Sequence, residues 1–130
     1  MSMKILIVDD DEFLRDMYGT KFTECGFEVE TAVSGESALE LLRNSDYDAV
    51  LLDIVMPNMS GLDTLEAIRQ IPEKGEDIKV IILSNQGEIS DLERAEKAKV
   101  SGYLVKANFI PSEVVTEVRK ILNNEDQSEQ

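Results

Sequence analysis

The sequence predicts an α/β fold in which helices cover both faces of a doubly wound, five-stranded parallel sheet. Four segments are almost continuously apolar, which is typical of parallel strands that are buried on both faces. A weaker fifth strand segment follows the first of these four, and a helical pattern follows each of the five. A strand and a helix therefore alternate five times. With 130 residues, the chain has the size of one domain.

The strands are predicted from short apolar segments that end at polar residues. A weaker fifth segment, residues 27–31, alternates apolar and polar residues and is therefore predicted to lie at an edge of the sheet. The four strong segments are residues 3–8, 49–52, 78–83 and 103–105.

The helices are predicted from apolar residues at helical spacing. In the first helix this spacing includes Phe13, and in the fourth it predicts that Leu92, Ala95 and Ala98 turn inward. Pro111 is favourable at the start of the last helix. The predicted helices are residues 12–24, 36–44, 61–71, 89–100 and 111–122. Residues 1–122 then form the domain, and the polar tail, residues 123–130, is predicted to be disordered.

The composition excludes several classes of function. A net charge of −14 argues against direct binding to nucleic acid or to an anionic membrane. The chain has no apolar run long enough to span a bilayer and no signal-peptide pattern, so we expect a cytoplasmic protein. Its single Cys25 cannot form an internal disulfide. Histidine is absent, which excludes Ser-His-Asp and Cys-His catalysis and histidine-ligated zinc.

Polar residues follow or end each of the four strong strands: Asp9 and Asp10, Asp53, Ser84 and Lys106. Because ligands of open α/β sheets bind beyond the carboxyl ends of the strands, we expect these side chains to meet. Carboxylates crowded together need a cation, and an all-oxygen ligand set favours Mg²⁺. A carboxylate, Mg²⁺, a lysine and a hydroxyl are the groups that phosphoryl transfer to an aspartate requires.

Residues 3–122 resemble a response-regulator receiver domain of two-component signalling, of the stand-alone, chemotaxis-regulator type. This resemblance implies a flavodoxin-like sheet with the strand order 2-1-3-4-5. The motifs that carry it are ILIVDDDE at 5–12, LLDIVMPNMSGLD at 51–63, VIILS at 80–84 and GYLVK at 102–106.

The resemblance implies a role for each residue at the strand ends. Asp53 would accept a phosphoryl group from the phosphohistidine of a histidine kinase or of a His-containing phosphotransfer protein. Mg²⁺ would be held by Asp10, Asp53 and the backbone carbonyl of Val55, with Asp9 acting through a water molecule. Lys106 would pair with the phosphoryl oxygens.

The resemblance also implies a switch. Ser84 would move toward the phosphoryl group and Tyr103 would turn inward, which changes the surface of the fourth helix, fifth strand and fifth helix. That surface would bind a downstream protein that the sequence does not identify, and the domain would be a monomer or a phosphorylation-dependent dimer. Such a protein catalyses only its own phosphorylation and dephosphorylation.

Four residues depart from the family pattern or occupy its variable positions. Receivers usually have a proline after the lysine, joined by a cis bond, whereas this chain has Ala107. The Lys106–Ala107 bond is then either a strained cis bond or a trans bond that aims the lysine differently. Asn85 replaces a smaller residue and could narrow access to Asp53. Val55 and Gln86 occupy positions that tune the lifetime of the phosphorylated state.

Three other functions are compatible with parts of this pattern. A receiver-like interaction module that works without phosphate would explain Asn85 and Ala107. A Mg²⁺-dependent phosphatase or phosphotransferase would need a general acid two residues after Asp53, where this chain has Val55. A flavin-binding module would need a Ser-, Thr- and Gly-rich phosphate loop after the first strand, where this chain has consecutive aspartates.

Overall fold

A computed structural model describes residues 2–85 and 89–127. Its five strands form one parallel sheet in the order β2-β1-β3-β4-β5, which confirms the predicted fold class and strand order. The weakly patterned second strand lies at an edge, as its alternating sequence predicts. The strands are β1 (Lys4–Val8), β2 (Glu28–Ala32), β3 (Ala49–Asp53), β4 (Val80–Ser84) and β5 (Gly102–Val105).

Five α-helices connect or follow the strands, as predicted. A short 3₁₀-helix that the sequence did not predict, Lys106–Asn108, directly follows β5. The α-helices are α1 (Glu12–Glu24), α2 (Gly35–Asn44), α3 (Gly61–Arg69), α4 (Ile89–Lys97) and α5 (Pro111–Gln127). None of the helices among the described residues combines the length and the apolar character that crossing a membrane requires.

Two hydrophobic clusters, one on each face of the sheet, form the core. On one face α2, α3 and α4 pack against the sheet, and Leu42, Leu65 and Ala95 are almost completely buried there. On the other face α1 and α5 supply buried residues such as Phe22 and Val118. Because successive strand residues point to opposite faces, β1, β3 and β4 contribute to both clusters, which explains their continuous apolar sequences.

Two apolar residues at helical spacing are exposed: Phe13 in the first helix, and Leu92, which was predicted to turn inward. Phe13, the second residue of α1, is 73% exposed, and Leu92 in α4 is 38% exposed. In α4 the inward contact is made by Ala95, which is fully buried, while Ala98 is partly buried. Helical spacing predicts which residues share a face, but the extent of their burial depends on the elements that cover that face.

The last helix is longer than predicted. It continues to Gln127, so residues 123–127 of the predicted tail are helical. Residues 128–130 lie outside the described part of the chain. The boundary between domain and tail at residue 122 stays a prediction. A polar sequence can extend a helix that is already formed, because adding a residue to an existing helix is easier than nucleating a new one.

Side-chain caps fix the start of α1 and α3, the helices that follow β1 and β3. Asp11 caps α1: its carboxylate accepts a hydrogen bond from the backbone N–H of Leu14 at 3.1 Å. Ser60 caps α3 in the same way and accepts from the N–H of Asp63 at 3.1 Å. These caps satisfy N–H groups that have no partner inside the helix, and they define where each loop ends.

Gly19 lies in the middle of α1, where a glycine is unfavourable for the helix. A Cβ atom there would meet Val29 Cγ1 at 3.9 Å and Thr31 Cγ2 at 4.0 Å, which are ordinary contact distances. We therefore expect Gly19→Ala to raise the free energy of unfolding by about 0.5–1 kcal/mol, because alanine loses less backbone entropy on folding. Urea denaturation of the two proteins would check this, and a lower midpoint for Gly19→Ala would contradict it.

Candidate functional site

Three carboxylates meet at the carboxyl edge of the sheet. Val8 of β1 pairs with Leu52 of β3, so Asp9 and Asp53, the next residue in each segment, lie side by side. Asp9 is 3% and Asp53 is 8% exposed, whereas Asp10 is exposed. One carboxylate oxygen from each of the three residues lies within 4.8 Å of the other two. The predicted acidic cluster is therefore present.

Lys106 reaches the same cluster from β5, across the intervening strand β4. Its Nζ lies 3.4 Å from Asp53 Oδ1 and 3.5 Å from Asp9 Oδ2, and its side chain is 10% exposed. The Lys106–Ala107 peptide bond is trans. The 3₁₀-helix that begins at Lys106 turns the chain away after β5. Of the two alternatives left open by the sequence, the trans bond is present, and it does not stop the lysine from reaching Asp53.

The Asp53 carboxyl has a pKa raised from 3.8 to about 6. Burial is the main cause, because a buried carboxylate loses its hydration. The positive charge of Lys106 lowers this pKa, while the negative charges of Asp9 and Asp10 raise it. A single lysine thus leaves the negative charge of the cluster incompletely balanced, which is the condition for binding a cation.

The loop after β3 is held close to Asp53 by Gly61. The N–H of Gly61 donates to the carbonyl of Ile54 at 2.7 Å. A Cβ atom at Gly61 would lie 2.1 Å from the carbonyl oxygen of Asp53 and 2.7 Å from Cα of Ile54. Only glycine fits this approach of two backbone segments. Within the loop, the Val55 side chain is 72% exposed, while Met56 is buried.

The predicted switch residues lie in neighbouring strands. Ser84 ends β4 and is 4% exposed, one residue beyond Leu83, which pairs with Asp53. Tyr103 of β5 is partly buried and packs against the cluster that covers the α2–α4 face. Asn85, which directly follows β4, is exposed. Gln86 lies outside the described residues.

Two residues of α1 border the site and were not predicted from the sequence. Arg15 donates a hydrogen bond from Nη1 to the backbone carbonyl of Asp9 at 2.9 Å. Tyr18 is 4% exposed, and burial raises the pKa of its phenol, with smaller effects from the charges of Lys106, Asp9 and Asp53. The position of Arg15 in the first turn of α1 could have indicated that it faces the end of β1. That it binds the backbone carbonyl of Asp9 depends on the fold.

The oxygen-rich cluster has the composition of a site for a hard divalent cation. Its candidate ligands are carboxylates, and two of the three, Asp9 and Asp53, are buried. Buried carboxylates that repel one another are stabilised when a cation lies between them. Asp9, Asp10 and Asp53 could therefore hold a metal ion beside the carboxylate that faces Lys106.

Comparison with known proteins identifies the family. The family model of the response regulator receiver domain matches residues 5–119. Response regulator MprA of Mycobacterium sp. (strain KMS) is 34% identical over 122 residues, which cover 94% of this chain and 51% of that protein. The probable transcriptional regulator ycf27 of Porphyra purpurea is 34% identical over 123 residues, which cover 95% of this chain and 49% of that protein. The chain thus spans about half the length of these relatives.

Solved structures agree with this assignment. A CheY-like receiver domain protein of Methanospirillum hungatei JF-1 has a TM-score of 0.87 at 23% identity and covers 98% of this chain and 99% of its own, which establishes the fold. Chemotaxis protein CheY4 of Vibrio cholerae has a TM-score of 0.86 at 26% identity, and the match covers 93% of this chain and 99% of that one. From its matched family model and its relatives, the chain belongs to the response regulator receiver domains of two-component signalling systems.

Proposed function

We propose that the domain is a phosphorylation-activated switch in which Asp53 accepts the phosphoryl group. The observation that carries this proposal is the geometry around Asp53, a buried carboxylate with Lys106 Nζ at 3.4 Å and two further aspartates at its side. A nucleophile, a cation for the phosphoryl oxygens and a potential metal site are thus within reach of one another.

In the proposed reaction, an oxygen of Asp53 forms a bond to phosphorus while the bond between phosphorus and the donor breaks. The donor is the phosphorylated imidazole of a partner, and after transfer of the phosphoryl group its imidazole leaves with the electron pair of the broken phosphorus–nitrogen bond. Lys106 neutralises charge on the phosphoryl oxygens, and the hydroxyl of Ser84 donates a hydrogen bond to one of them. The reaction requires Asp53 in its ionised form. Because burial raises the pKa of this carboxyl, the nearby positive charge of Lys106 favours the ionised carboxylate that reacts.

Mg²⁺ is the cofactor that the site would take. Asp10, Asp53 and the backbone carbonyl of Val55 would hold it directly, and Asp9 would hold it through a water molecule. When bound, Mg²⁺ supplies the positive charge that lets a phosphoryl group approach a cluster of carboxylates. The cluster fits this ion because its candidate ligands are oxygens and two of them are buried.

The output is proposed to be a change in the surface formed by α4, β5 and α5. The new phosphoryl oxygens favour the conformer in which Ser84 and Tyr103 both move inward. Tyr103 is partly buried beside the cluster that contains Ala95 of α4, so its rotation changes the packing of that helix. A downstream protein that prefers the repacked surface then binds the phosphorylated form.

The proposed partners follow from the same chemistry. The donor is a histidine kinase or a His-containing phosphotransfer protein, and the receiver of the signal is a protein that binds the α4-β5-α5 surface. A net charge of −14 is compatible with protein partners and unfavourable for direct binding to nucleic acid or anionic membranes. We place this exchange in the cytoplasm, with the domain acting as a monomer or as a phosphorylation-dependent dimer.

Intact-mass analysis after incubation with Mg²⁺ and acetyl phosphate tests the proposal. We expect the mass of one phosphoryl group to be added to the parent protein and to be absent from Asp53→Asn and from a sample without Mg²⁺. Asp46→Asn is the matched control, because Asp46 is a 95% exposed carboxylate at the opposite edge of the sheet. If the parent gains no mass while it binds Mg²⁺, the proposal is wrong and a phosphate-independent interaction module replaces it.

A further inference from the structure

We propose that Arg15 is a positioning residue, which fixes the peptide between Asp9 and Asp10 and thereby orients Asp10 toward the metal ion. This inference rests on the proposed function, since it assumes that the acidic cluster binds Mg²⁺. Arg15 belongs to α1 and reaches back to the end of β1, where its Nη1 lies 2.9 Å from the carbonyl oxygen of Asp9.

Each polar group of Asp9 has a hydrogen-bond partner. Its N–H donates to the carbonyl of Ala32 at 3.2 Å, which ties it to the end of β2. Its Oδ1 accepts from the N–H of Asp11 at 2.9 Å, and its Oδ2 lies 3.5 Å from Lys106 Nζ. Its carbonyl accepts from Arg15. Asp9 is therefore held by groups from β2, α1 and the end of β5.

The hydrogen bond from Arg15 differs from the other three because it fixes the peptide unit that leads to Asp10. The carbonyl of Asp9 and the N–H of Asp10 belong to one planar peptide unit, so fixing that oxygen fixes the plane from which Asp10 extends. The Asp10 side chain is exposed and receives little support from packing. Its direction depends mainly on its backbone, and Arg15 donates a hydrogen bond directly to the peptide unit that precedes it.

If Arg15 acted only through its charge, it would weaken Mg²⁺ binding instead of strengthening it. A guanidinium near three carboxylates repels a divalent cation and would weaken its binding, so removing the positive charge would strengthen Mg²⁺ binding. Orientation of a ligand by a neighbouring hydrogen bond strengthens metal binding, and its loss typically lowers the affinity. The two roles therefore predict changes of opposite sign, and one titration distinguishes them.

The experiment measures the Mg²⁺ dissociation constant by calorimetric titration of the parent, Arg15→Gln, Arg15→Lys and Arg43→Gln. We expect Arg15→Gln to weaken Mg²⁺ binding roughly tenfold, the lower end of the range for lost outer-shell partners. Arg15→Lys keeps a charged donor and should fall between Arg15→Gln and the parent. Arg43→Gln removes the same charge from an exposed position at the end of α2 and should match the parent.

Urea denaturation without Mg²⁺ accompanies each titration and verifies that the variants are folded at the temperature used. Unchanged or tighter Mg²⁺ binding by Arg15→Gln would overturn the inference, as would an equal loss in Arg43→Gln. If the parent is phosphorylated on Asp53 and only this comparison fails, the proposed function stands without a positioning role for Arg15. If the parent neither binds Mg²⁺ nor is phosphorylated, both proposals are wrong.

Discussion

Replacing Gly61 with alanine is expected to lower the free energy of unfolding by about 3 kcal/mol, the upper part of the usual range for overpacking. The added Cβ would lie 2.1 Å from the Asp53 carbonyl oxygen and 2.7 Å from Cα of Ile54. Both neighbours are backbone atoms, so no side-chain rotation can relieve the contact. The hydrogen bond from Gly61 to the carbonyl of Ile54 would also be displaced. Urea denaturation followed by circular dichroism measures this loss.

The same substitution at Gly19 is the matched control. It adds the same methyl group to the same residue type, but at ordinary contact distances of 3.9–4.0 Å. The two variants should therefore change stability in opposite directions. Because the clash at Gly61 involves Asp53, the proposed phosphoryl acceptor, Gly61→Ala should also slow labelling by acetyl phosphate, whereas Gly19→Ala should not. Equal midpoints for the two variants would show that the loop after β3 adjusts without cost.

Asp53→Asn is expected to stabilise the protein at neutral pH in the absence of Mg²⁺. The pKa of Asp53 is raised to about 6 in the folded protein from 3.8, so the folded state binds more protons than the unfolded state between these values. The contribution of Asp53 to the stability of the parent therefore falls as the pH rises from about 4 to 6, and stays lower above 6. Asparagine carries no charge and lacks this loss. We expect a gain of about 1–2 kcal/mol at pH 7, because water at the open edge of the sheet offsets part of the cost of burying the charge.

Urea denaturation at a series of pH values checks whether Asp53→Asn is more stable than the parent. The difference between Asp53→Asn and the parent should be small near pH 4 and should grow until about pH 6. Added Mg²⁺ should stabilise the parent at pH 7 more than the variant, since the variant lacks one carboxylate of the cluster. Asp46→Asn, which alters an exposed carboxylate, should show no such pH dependence. A variant that is less stable than the parent at pH 7 would contradict the electrostatic account of the site.

The sequence predicted the elements that depend on local patterns. Continuous apolar segments predicted the buried strands, and the alternating segment predicted the edge strand, because both patterns reflect which faces of a strand are covered. The clustering of Asp9, Asp10 and Asp53 followed from a topological rule, that parallel strands end at one edge.

Other features depended on contacts between distant parts of the chain. The exposure of Phe13 and Leu92 depends on what covers a helix face, which helical spacing does not specify. The hydrogen bond from Arg15 to Asp9 joins a side chain to a backbone carbonyl, and the side-chain pattern contains no signal for that partner. The clash of a side chain at Gly61 involves the backbone at the end of β3 and the start of α3, which the loop between them brings together.

The sequence by itself thus determined the fold class, the edge of the sheet where the candidate site lies and the polar residues that the strand ends bring there. Periodicity and strand ends are local properties, and the parallel topology brings strand ends together. Only the tertiary structure decided that Lys106 contacts both Asp9 and Asp53 while its bond to Ala107 is trans. The reach of a lysine across a neighbouring strand depends on the position of β5 in the sheet and on the 3₁₀-helix that follows it, and both are set by packing.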